Sequence, residues 1–145
     1  PNPTAVQHCI KNAIKNAQID VKDIDLISGH LTATAKDALE IENWSKALNR
    51  YGKDFPYING IKGMIGHTLS AAGSIECVAA VMQLHKSFIM PNVNCEDLNP
   101  DIEKIIAKNC VPTQLINQRV SIIAKANFGF GDVNACVILK KYDNE

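Results

Sequence analysis

Apolar residues recur at intervals of three and four along the start of the chain, a pattern that predicts an amphipathic helix. These residues are Val6, Cys9, Ile10, Ala13, Ile14 and Ala17. Asn2 and Pro3 suit the N-cap and the first helical position. A second helix is predicted to begin near Asp37, which forms a capping-box-like pair with Glu40. Its predicted buried face consists of Ile41, Trp44, Leu48 and Tyr51.

Short β-rich runs are interspersed with the helices and close the chain. They cover residues 24–28, 55–61, 120–127 and 133–140. The last two flank Phe-Gly-Phe-Gly-Asp, which indicates a hairpin. A third helix over residues 70–86 is apolar nearly all round, which is typical of a helix buried on most sides. The residues between this helix and the third run show little periodicity, apart from a short predicted helix around 102–107.

The order of these elements defines the fold class. Helices and strands alternate as α-β-α-β-α, and after a long connection the chain ends in two strands. This order predicts an α/β layered domain with a mixed sheet. At 145 residues, the chain has the length of one domain and can bury a sizeable core.

Charge and composition exclude several classes of function. With 15 basic and 15 acidic side chains, the formal net charge is zero. A nucleic-acid or anionic-membrane surface needs an excess of Lys and Arg on one face, so neither partner is expected. Apolar runs such as residues 77–82 are far too short to span a bilayer. The chain opens at Pro1 with no charged-then-apolar signal segment, and we expect a cytoplasmic location.

The cysteines predict neither a disulfide framework nor a metal site. There are 5 of them, an odd number, and none forms a CxxC pair. Cys9, Cys77 and Cys136 lie among apolar neighbours and are interpreted as small core residues. We therefore expect no bound metal.

Three loops carry the candidate chemistry, each at the end of a strand or beside a helix start, where α/β folds bind ligands. They are Gly-His-Leu-Thr-Ala-Thr at 29–34, Lys-Gly-Met-Ile-Gly-His at 62–67, followed by Ser-Ala-Ala-Gly at 70–73, and Asn-Phe-Gly-Phe-Gly-Asp-Val-Asn at 127–134. Singly, each has an ordinary structural interpretation, as a hydrogen-bonded histidine, a helix cap or a tight turn. Because a strand follows the third loop, its glycines do not form a dinucleotide-binding fingerprint.

Taken together and in this order, the loops resemble the C-terminal half of the β-ketoacyl-acyl-carrier-protein synthases, the elongating ketosynthases of the thiolase-like fold. The loops of that family read approximately HGTxT, KSxxGHxxGAAG and NxFGFGGTN. The resemblance runs from the first helix to the final hairpin and includes Pro-Asn-Val-Asn at 91–94. It implies a thiolase-like half-fold over residues 1–145, and it implies decarboxylative Claisen condensation of an acyl thioester with malonyl carrier protein in fatty-acid or polyketide biosynthesis.

The resemblance also implies roles for residues of the first two loops. His30 and His67 match two histidines that donate hydrogen bonds to the malonyl thioester carbonyl and stabilise the enolate. Lys62 matches the lysine that keeps the charge balance of the site, and Glu76 matches the acid that pairs with it. Thr32 matches a residue that binds the phosphopantetheine arm of the carrier protein, as does Thr34.

In the third loop, Phe130 matches a gating phenylalanine whose backbone N–H completes the oxyanion hole of the acyl-enzyme. Phe128 lies beside it as a candidate substrate contact, although the interpretation as a core aromatic is favoured. Other positions depart from the family pattern and bear on loop conformation, gating and acyl-chain preference. They are Leu31 in place of Gly, the shortened segment 35–37, Gly63 and Ile65 in place of Ser and Thr, and Asp132-Val133 in place of Gly-Thr.

The implied nucleophile is a cysteine on a strand-to-helix turn, and none of the cysteines here has that context. It belongs to the N-terminal half of the fold. We therefore expect this chain to be inactive alone, and its 70–86 helix to expose the apolar surface meant for that half. The complete enzyme is expected to be a homodimer or heterodimer that meets an acyl carrier protein. Its only implied prosthetic group is the phosphopantetheine that arrives on this partner.

Two alternatives stay open. The chain could belong to a non-catalytic partner subunit resembling a chain-length factor, although the retention of both His30 and His67 speaks against this. A thiolase or an initiating ketoacyl synthase typically carries Asn in place of one histidine. The histidine pair therefore favours the elongating class.

Overall fold

A computed structural model of the protein describes residues 2–142. The helices are α1 (Pro3–Ala17), α2 (Asp37–Leu48), α3 (Lys62–Ile65), α4 (Ala72–Lys86) and α5 (Pro100–Glu103). The strands are β1 (Leu26–Ser28), β2 (Tyr57–Asn59), β3 (Ile122–Phe128) and β4 (Asn134–Lys140). The predicted order of helices and strands is confirmed, with short helical turns added between them.

The strands form one mixed sheet in the order β2-β1-β3-β4. β1 lies parallel to both β2 and β3, whereas β3 and β4 form the predicted antiparallel hairpin. The carboxyl ends of the three parallel strands therefore meet at one edge of the sheet. The three candidate loops leave the sheet at this edge, and they are brought together although they lie far apart in sequence.

Helices cover both faces of the sheet. Alternate side chains of β3 point to opposite faces, as strand geometry requires. Ala124 joins the larger core with Ile10 of α1 and Trp44 of α2, while Ile123 joins a smaller core with Ala80 of α4. Burial of a large apolar side chain such as Ile10 or Ile123 contributes on the order of 1.5–3 kcal/mol, so these two cores fix the layering.

The start of α1 follows the predicted capping, but the start of α2 does not. The Asn2 side chain accepts a hydrogen bond from the backbone N–H of Thr4, and Pro3 opens the helix. The predicted capping-box pair of Asp37 and Glu40 is wrong, because both carboxylates face the preceding loop and accept backbone hydrogen bonds there. The prediction that Tyr51 is buried is also wrong, since α2 ends before it.

Several boundaries differ from the predicted ones. The run at 55–61 forms a shorter strand because only its middle pairs with β1. The segment after Ile61 was predicted as a loop but begins with one helical turn, α3. The helix predicted around 102–107 begins earlier, at Pro100, where the Asn99 side chain caps its first turn. Asn92 fixes the long connection by donating to the carbonyls of Ile58 and Pro112.

Helix α4 is buried on one side only, so the prediction of burial on most sides is wrong within residues 2–142. Its outer face exposes large apolar side chains, and the expectation that this helix presents an apolar surface is confirmed. We call Ile75, Val78, Val81 and Met82 the outer face of α4. None of the helices in the described part of the chain is long and apolar enough to cross a membrane.

The cysteines are all free. Cys9, Cys77 and Cys136 are only partly buried, so the prediction that they are core residues holds for Cys136 alone, which packs against the larger core. Cys110 is the fully buried one, and its thiol donates to the backbone carbonyl of Phe55 at 3.2 Å. This carbonyl contact explains how a cysteine of the irregular connection comes to lie in the core.

Candidate active site

Two histidine rings meet at the carboxyl edge of the sheet. His30 follows β1, and His67 follows α3. Their ring centroids lie 5.5 Å apart, with an angle of 82° between the ring planes. The structure therefore brings together the two histidines singled out in the sequence, from loops separated by a helix and a strand.

The hydrogen bonds of His30 determine which ring nitrogen carries the proton. The Asn127 side-chain nitrogen lies 2.9 Å from a Glu76 carboxylate oxygen and 3.3 Å from Nδ1 of His30. The Asn127 NH₂ group must face the carboxylate as a donor, so it also donates to Nδ1. The neutral His30 ring then carries its proton on Nε2.

His30 is held in this neutral form by its surroundings. Burial is the main cause, and the positive charge of Lys62 adds to it; together they lower the pKa of His30 from 6.5 to about 4. A protonated ring would also place an N–H group against the Asn127 NH₂ donor. His30 is therefore a neutral hydrogen-bond donor at physiological pH.

His67 has a matching arrangement. The backbone N–H of Leu69 donates to Nδ1 of His67 at 3.1 Å. A neutral His67 ring therefore carries its proton on Nε2, as His30 does. The two adjoining rings present two Nε2–H donors.

Beneath the histidines lies a buried charge cluster built on Glu76, whose side chain is 1% exposed. Lys62 donates to one carboxylate oxygen of Glu76 and also to the backbone carbonyl of His30. Lys125 lies 2.7 Å from the other carboxylate oxygen. Burial by itself would raise the pKa of Glu76, but the hydrogen bonds from Lys125 and Lys62 outweigh it and hold the pKa below its ordinary value.

Sequence reasoning missed Lys125 and Asn127 as members of this cluster. Both point from β3 toward α4, on the same face as Ile123. The available signal was a charged residue in the middle of a strand that reads as buried on both faces. Such a position holds a lysine only when a partner is present.

Sequence reasoning also missed the role of the two acids at the start of α2. Glu40 accepts hydrogen bonds from the backbone N–H groups of His30 and Leu31, at 2.7 and 2.9 Å. Asp37 does the same for Thr32. Burial raises the pKa of Glu40 to about 7, although these hydrogen bonds oppose the rise. The acids shape the loop that carries His30.

Thr32 and Thr34 lie on the outside of this loop with their hydroxyl oxygens 3.2 Å apart. The Thr34 oxygen accepts a hydrogen bond from the backbone N–H of Lys36, which is a turn-type contact. Beneath the loop is a cavity of about 40 Å³ bordered by His30, Thr32 and other residues of α1, α2 and β3. The two hydroxyls therefore lie at the surface of the loop that carries His30.

The two phenylalanines of the third loop differ in burial. Phe130 is fully exposed at the start of a tight turn, in which Gly131 adopts a φ of 72°. Phe128 is buried in the larger core, and its ring lies 6.2 Å from that of His30. The burial of Phe128 thus agrees with its favoured interpretation as a core aromatic, whereas Phe130 lies at the surface.

Within residues 2–142, no group of three or more His, Cys, Asp or Glu side chains is arranged to hold a metal ion. The site is instead a pair of imidazole rings above a buried ion-pair cluster. Such an arrangement can donate hydrogen bonds to an oxygen on which negative charge develops.

Comparison with known proteins identifies the family of the chain. The family described as beta-ketoacyl synthase, C-terminal domain, matches residues 1–96. The chain therefore belongs to this family, whose C-terminal domain carries the thiolase-like half-fold seen here.

Individual relatives match over nearly the whole chain. The 3-oxoacyl-[acyl-carrier-protein] synthase 1 of Haemophilus influenzae is 32% identical over 99% of the chain, and the chain spans 33% of that relative. The ishigamide ketosynthase/chain length factor matches with a TM-score of 0.88 and 27% identity, over 99% of this chain and 34% of the other. A type II polyketide ketosynthase in complex with its acyl-carrier protein, bound to the hexaketide, has a TM-score of 0.83 and 27% identity, over 98% and 34%.

Proposed function

We propose that this domain supplies the His-His-Lys part of the active site of a β-ketoacyl-[acyl-carrier-protein] synthase. The enzyme would condense an acyl thioester with malonyl carrier protein in fatty-acid or polyketide biosynthesis. The observation that carries the proposal is the pair of Nε2–H donors on adjoining rings, each fixed by a donor at its Nδ1.

These donors suit the decarboxylation step of the reaction, in which negative charge develops on an oxygen. The bond between C2 of the malonyl group and its carboxylate carbon breaks, carbon dioxide leaves, and the electron pair becomes an enolate on the thioester oxygen. His30 and His67 stabilise this oxygen by hydrogen bonds. The acyl group is held as a thioester on the cysteine of the N-terminal half. C2 attacks the carbonyl carbon of this thioester, the cysteine sulfur leaves as a thiolate, and this thiolate takes up a proton.

The neighbouring residues have supporting roles in this proposal. Lys62 holds the carbonyl of His30 and balances the charge of Glu76, so the donor keeps its position when charge develops. Thr32 and Thr34 offer accessible hydroxyls to the phosphopantetheine arm. Phe130 lies on the surface just after the end of β3. It would gate the entrance to the active site, and its backbone N–H would donate a hydrogen bond to the carbonyl oxygen of the acyl-enzyme.

The nucleophilic cysteine would come from the N-terminal half of the synthase. The outer face of α4 supports this part of the proposal, because it is an exposed apolar surface that a second half-fold would cover. The acyl carrier protein as a partner is supported by the related ketosynthase that was solved with its carrier protein. A dimeric complete enzyme and a cytoplasmic location stay predictions.

The test uses the complete synthase, in which this domain works together with the N-terminal half. His30→Ala and His67→Ala should each lower the condensation rate by about 10²–10³-fold, the effect typical of removing one oxyanion donor. His8→Ala, at an exposed histidine of α1, is the matched control and should leave the rate unchanged. Full activity in either site variant would refute the proposed role.

A second candidate is a non-catalytic partner subunit. The structural similarity to a ketosynthase/chain length factor favours it. Retention of both Nε2–H donors is evidence against it, since a structural partner has no need of two such donors on adjoining rings. If the N-terminal half of the protein lacks a cysteine on a strand-to-helix turn, and both histidine variants sustain the activity of a partner synthase, this second function replaces the first.

A further inference from the structure

Lys125 is the most deeply buried cation in the described part of the chain, with a side chain that is 2% exposed. Its ammonium group lies against Glu76 and donates to the carbonyl of Ala126. It stands in the middle of β3, between two helical layers. A buried lysine at such a position is energetically costly, and an apolar side chain of equal size would be cheaper. The charge therefore calls for an explanation.

Glu76 links Lys125 to the reacting part of the site. One oxygen of the carboxylate accepts a hydrogen bond from Lys62, and the other accepts hydrogen bonds from both Lys125 and the Asn127 side-chain amide. The same Asn127 nitrogen donates to Nδ1 of His30. The chain of contacts thus runs from Lys125 through Glu76 and Asn127 to the ring of His30.

We propose that Lys125 is a positioning residue that fixes the proton of His30 on Nε2 and keeps its ring neutral. It does so by holding the Glu76 oxygen toward Asn127 and by adding a second buried positive charge beneath the ring. The inference rests on the function proposed above, because it assigns the donor state that His30 needs. Lys125 itself touches no reacting atom.

The net charge of the buried cluster supports the role of Lys125. Glu76 carries a single negative charge between two ammonium groups, so the cluster of Lys62, Lys125 and Glu76 is net positive. The other titratable groups near His30 are His67 and, from the start of α2, Glu40, Asp37 and Lys36, which border the same cavity as His30. Without Lys125, the cluster is electrically neutral, and of its two positive charges only that of Lys62 remains to oppose protonation of His30.

The first measurement is an NMR titration of the histidine ring nitrogens in the 145-residue chain. In Lys125→Met, the titration midpoint of His30 should rise by a few tenths of a unit, because one of the positive charges that act on the ring is removed. The ring should also populate both tautomers. Lys140→Met removes an exposed lysine from the neighbouring strand and should change neither property.

A second variant keeps the test decisive if Lys125→Met does not fold. Lys125→Gln retains a hydrogen-bond donor but removes the charge, so its His30 midpoint should rise while the Nε2–H tautomer persists. A folded Lys125→Met or Lys125→Gln protein with an unchanged His30 midpoint overturns the inference.

The pH profile of condensation separates this inference from the proposed function. In the complete synthase, Lys125→Met should move the acidic limb of the profile to higher pH, and Lys140→Met should not. If the unaltered synthase does not condense at all, the proposed function fails. The NMR result on His30 then still decides whether Lys125 sets its tautomer.

Discussion

At the scale of single residues, Glu40 is the group whose protonation matters most for the loop of His30. Its pKa is raised by burial from 4.5 to about 7, so between these values the folded protein holds a proton that the unfolded chain has released. Folding then takes up a proton, and the contribution of Glu40 to stability falls as pH rises through this window. His30 contributes the opposite slope between about 4 and 6.5, because its pKa is lowered.

We predict that Glu40→Gln removes the contribution of Glu40 to this pH dependence. It should also lower the free energy of unfolding by about 1–3 kcal/mol at acidic pH, since the amide can accept only one of the two backbone hydrogen bonds. Chemical denaturation of both proteins from pH 4 to pH 8 measures the difference. Glu42→Gln, at an exposed neighbour on α2, is the control. A difference that does not vary with pH would contradict the raised pKa.

The residue scale also shows what a sequence can reveal. The family resemblance singled out His30, His67, Lys62 and Glu76, and the structure brings all four together. Lys125 was missed because its partner Glu76 lies on α4, far away in sequence, and only the packing of α4 on β3 places the two side by side. The burial of a charge depends on its neighbours, which single-sequence patterns do not contain.

At the scale of elements, the first turn of α4 depends on Gly73. A Cβ at this position would lie 3.2 Å from the side-chain oxygen of Asn127, whose nitrogen is already held by Glu76 and His30. We predict that Gly73→Ala lowers stability by about 1–2 kcal/mol, because the displaced Asn127 hydrogen bonds outweigh a helix-propensity gain of at most about 1 kcal/mol.

Denaturant unfolding checks this prediction, with Ser74→Ala in the same turn as the control. The Ser74 side chain is exposed and bonds only to the end of the preceding helical turn, so its loss should be small. A Gly73→Ala protein that is more stable than the unaltered one would show that the Asn127 side chain can shift without losing its hydrogen bonds.

The outer face of α4 is the element that should bind the second half of the fold. We predict that the double variant Val78→Glu with Val81→Glu leaves the stability of the chain within about 0.5 kcal/mol, as surface changes do. Its binding to the N-terminal half should fall at least tenfold, because two charges would be buried at the interface. Leu115→Glu, an exposed apolar residue of the long connection, is the control. Equal binding by the double variant and the control would place the interface elsewhere.

Element boundaries were predicted unevenly, and the reasons are physical. Helix α1 has a full apolar stripe and a capping Asn, so local patterns determine it. The strands β1 and β2 contain three residues each, and their ends depend on pairing partners. The acids at the start of α2 matched a cap pattern, yet they turn to the loop because backbone N–H groups there need acceptors.

At the scale of the whole molecule, the exposed apolar residues should govern how the chain behaves alone. They form the outer face of α4 and continue on the same side of the sheet at Val137 of β4, which pairs with Lys125. We predict that the purified chain binds an apolar fluorescent dye or self-associates, and that it shows no condensation without a second polypeptide. Light scattering and dye fluorescence measure this. A monomer that binds no dye would indicate that these side chains are not an interface.

The position of β3 has a consequence for how the protein is made. This strand lies between β1 and β4, and it carries Asn127, which is 97 residues from its partner His30. During synthesis, one edge of β1 stays unpaired until β3 has left the ribosome, and an unpaired strand edge promotes aggregation. The proton on His30 is therefore assigned only when β3 pairs with β1, and a chain cut short before β3 has an open sheet edge and lacks the Asn127 that fixes this proton.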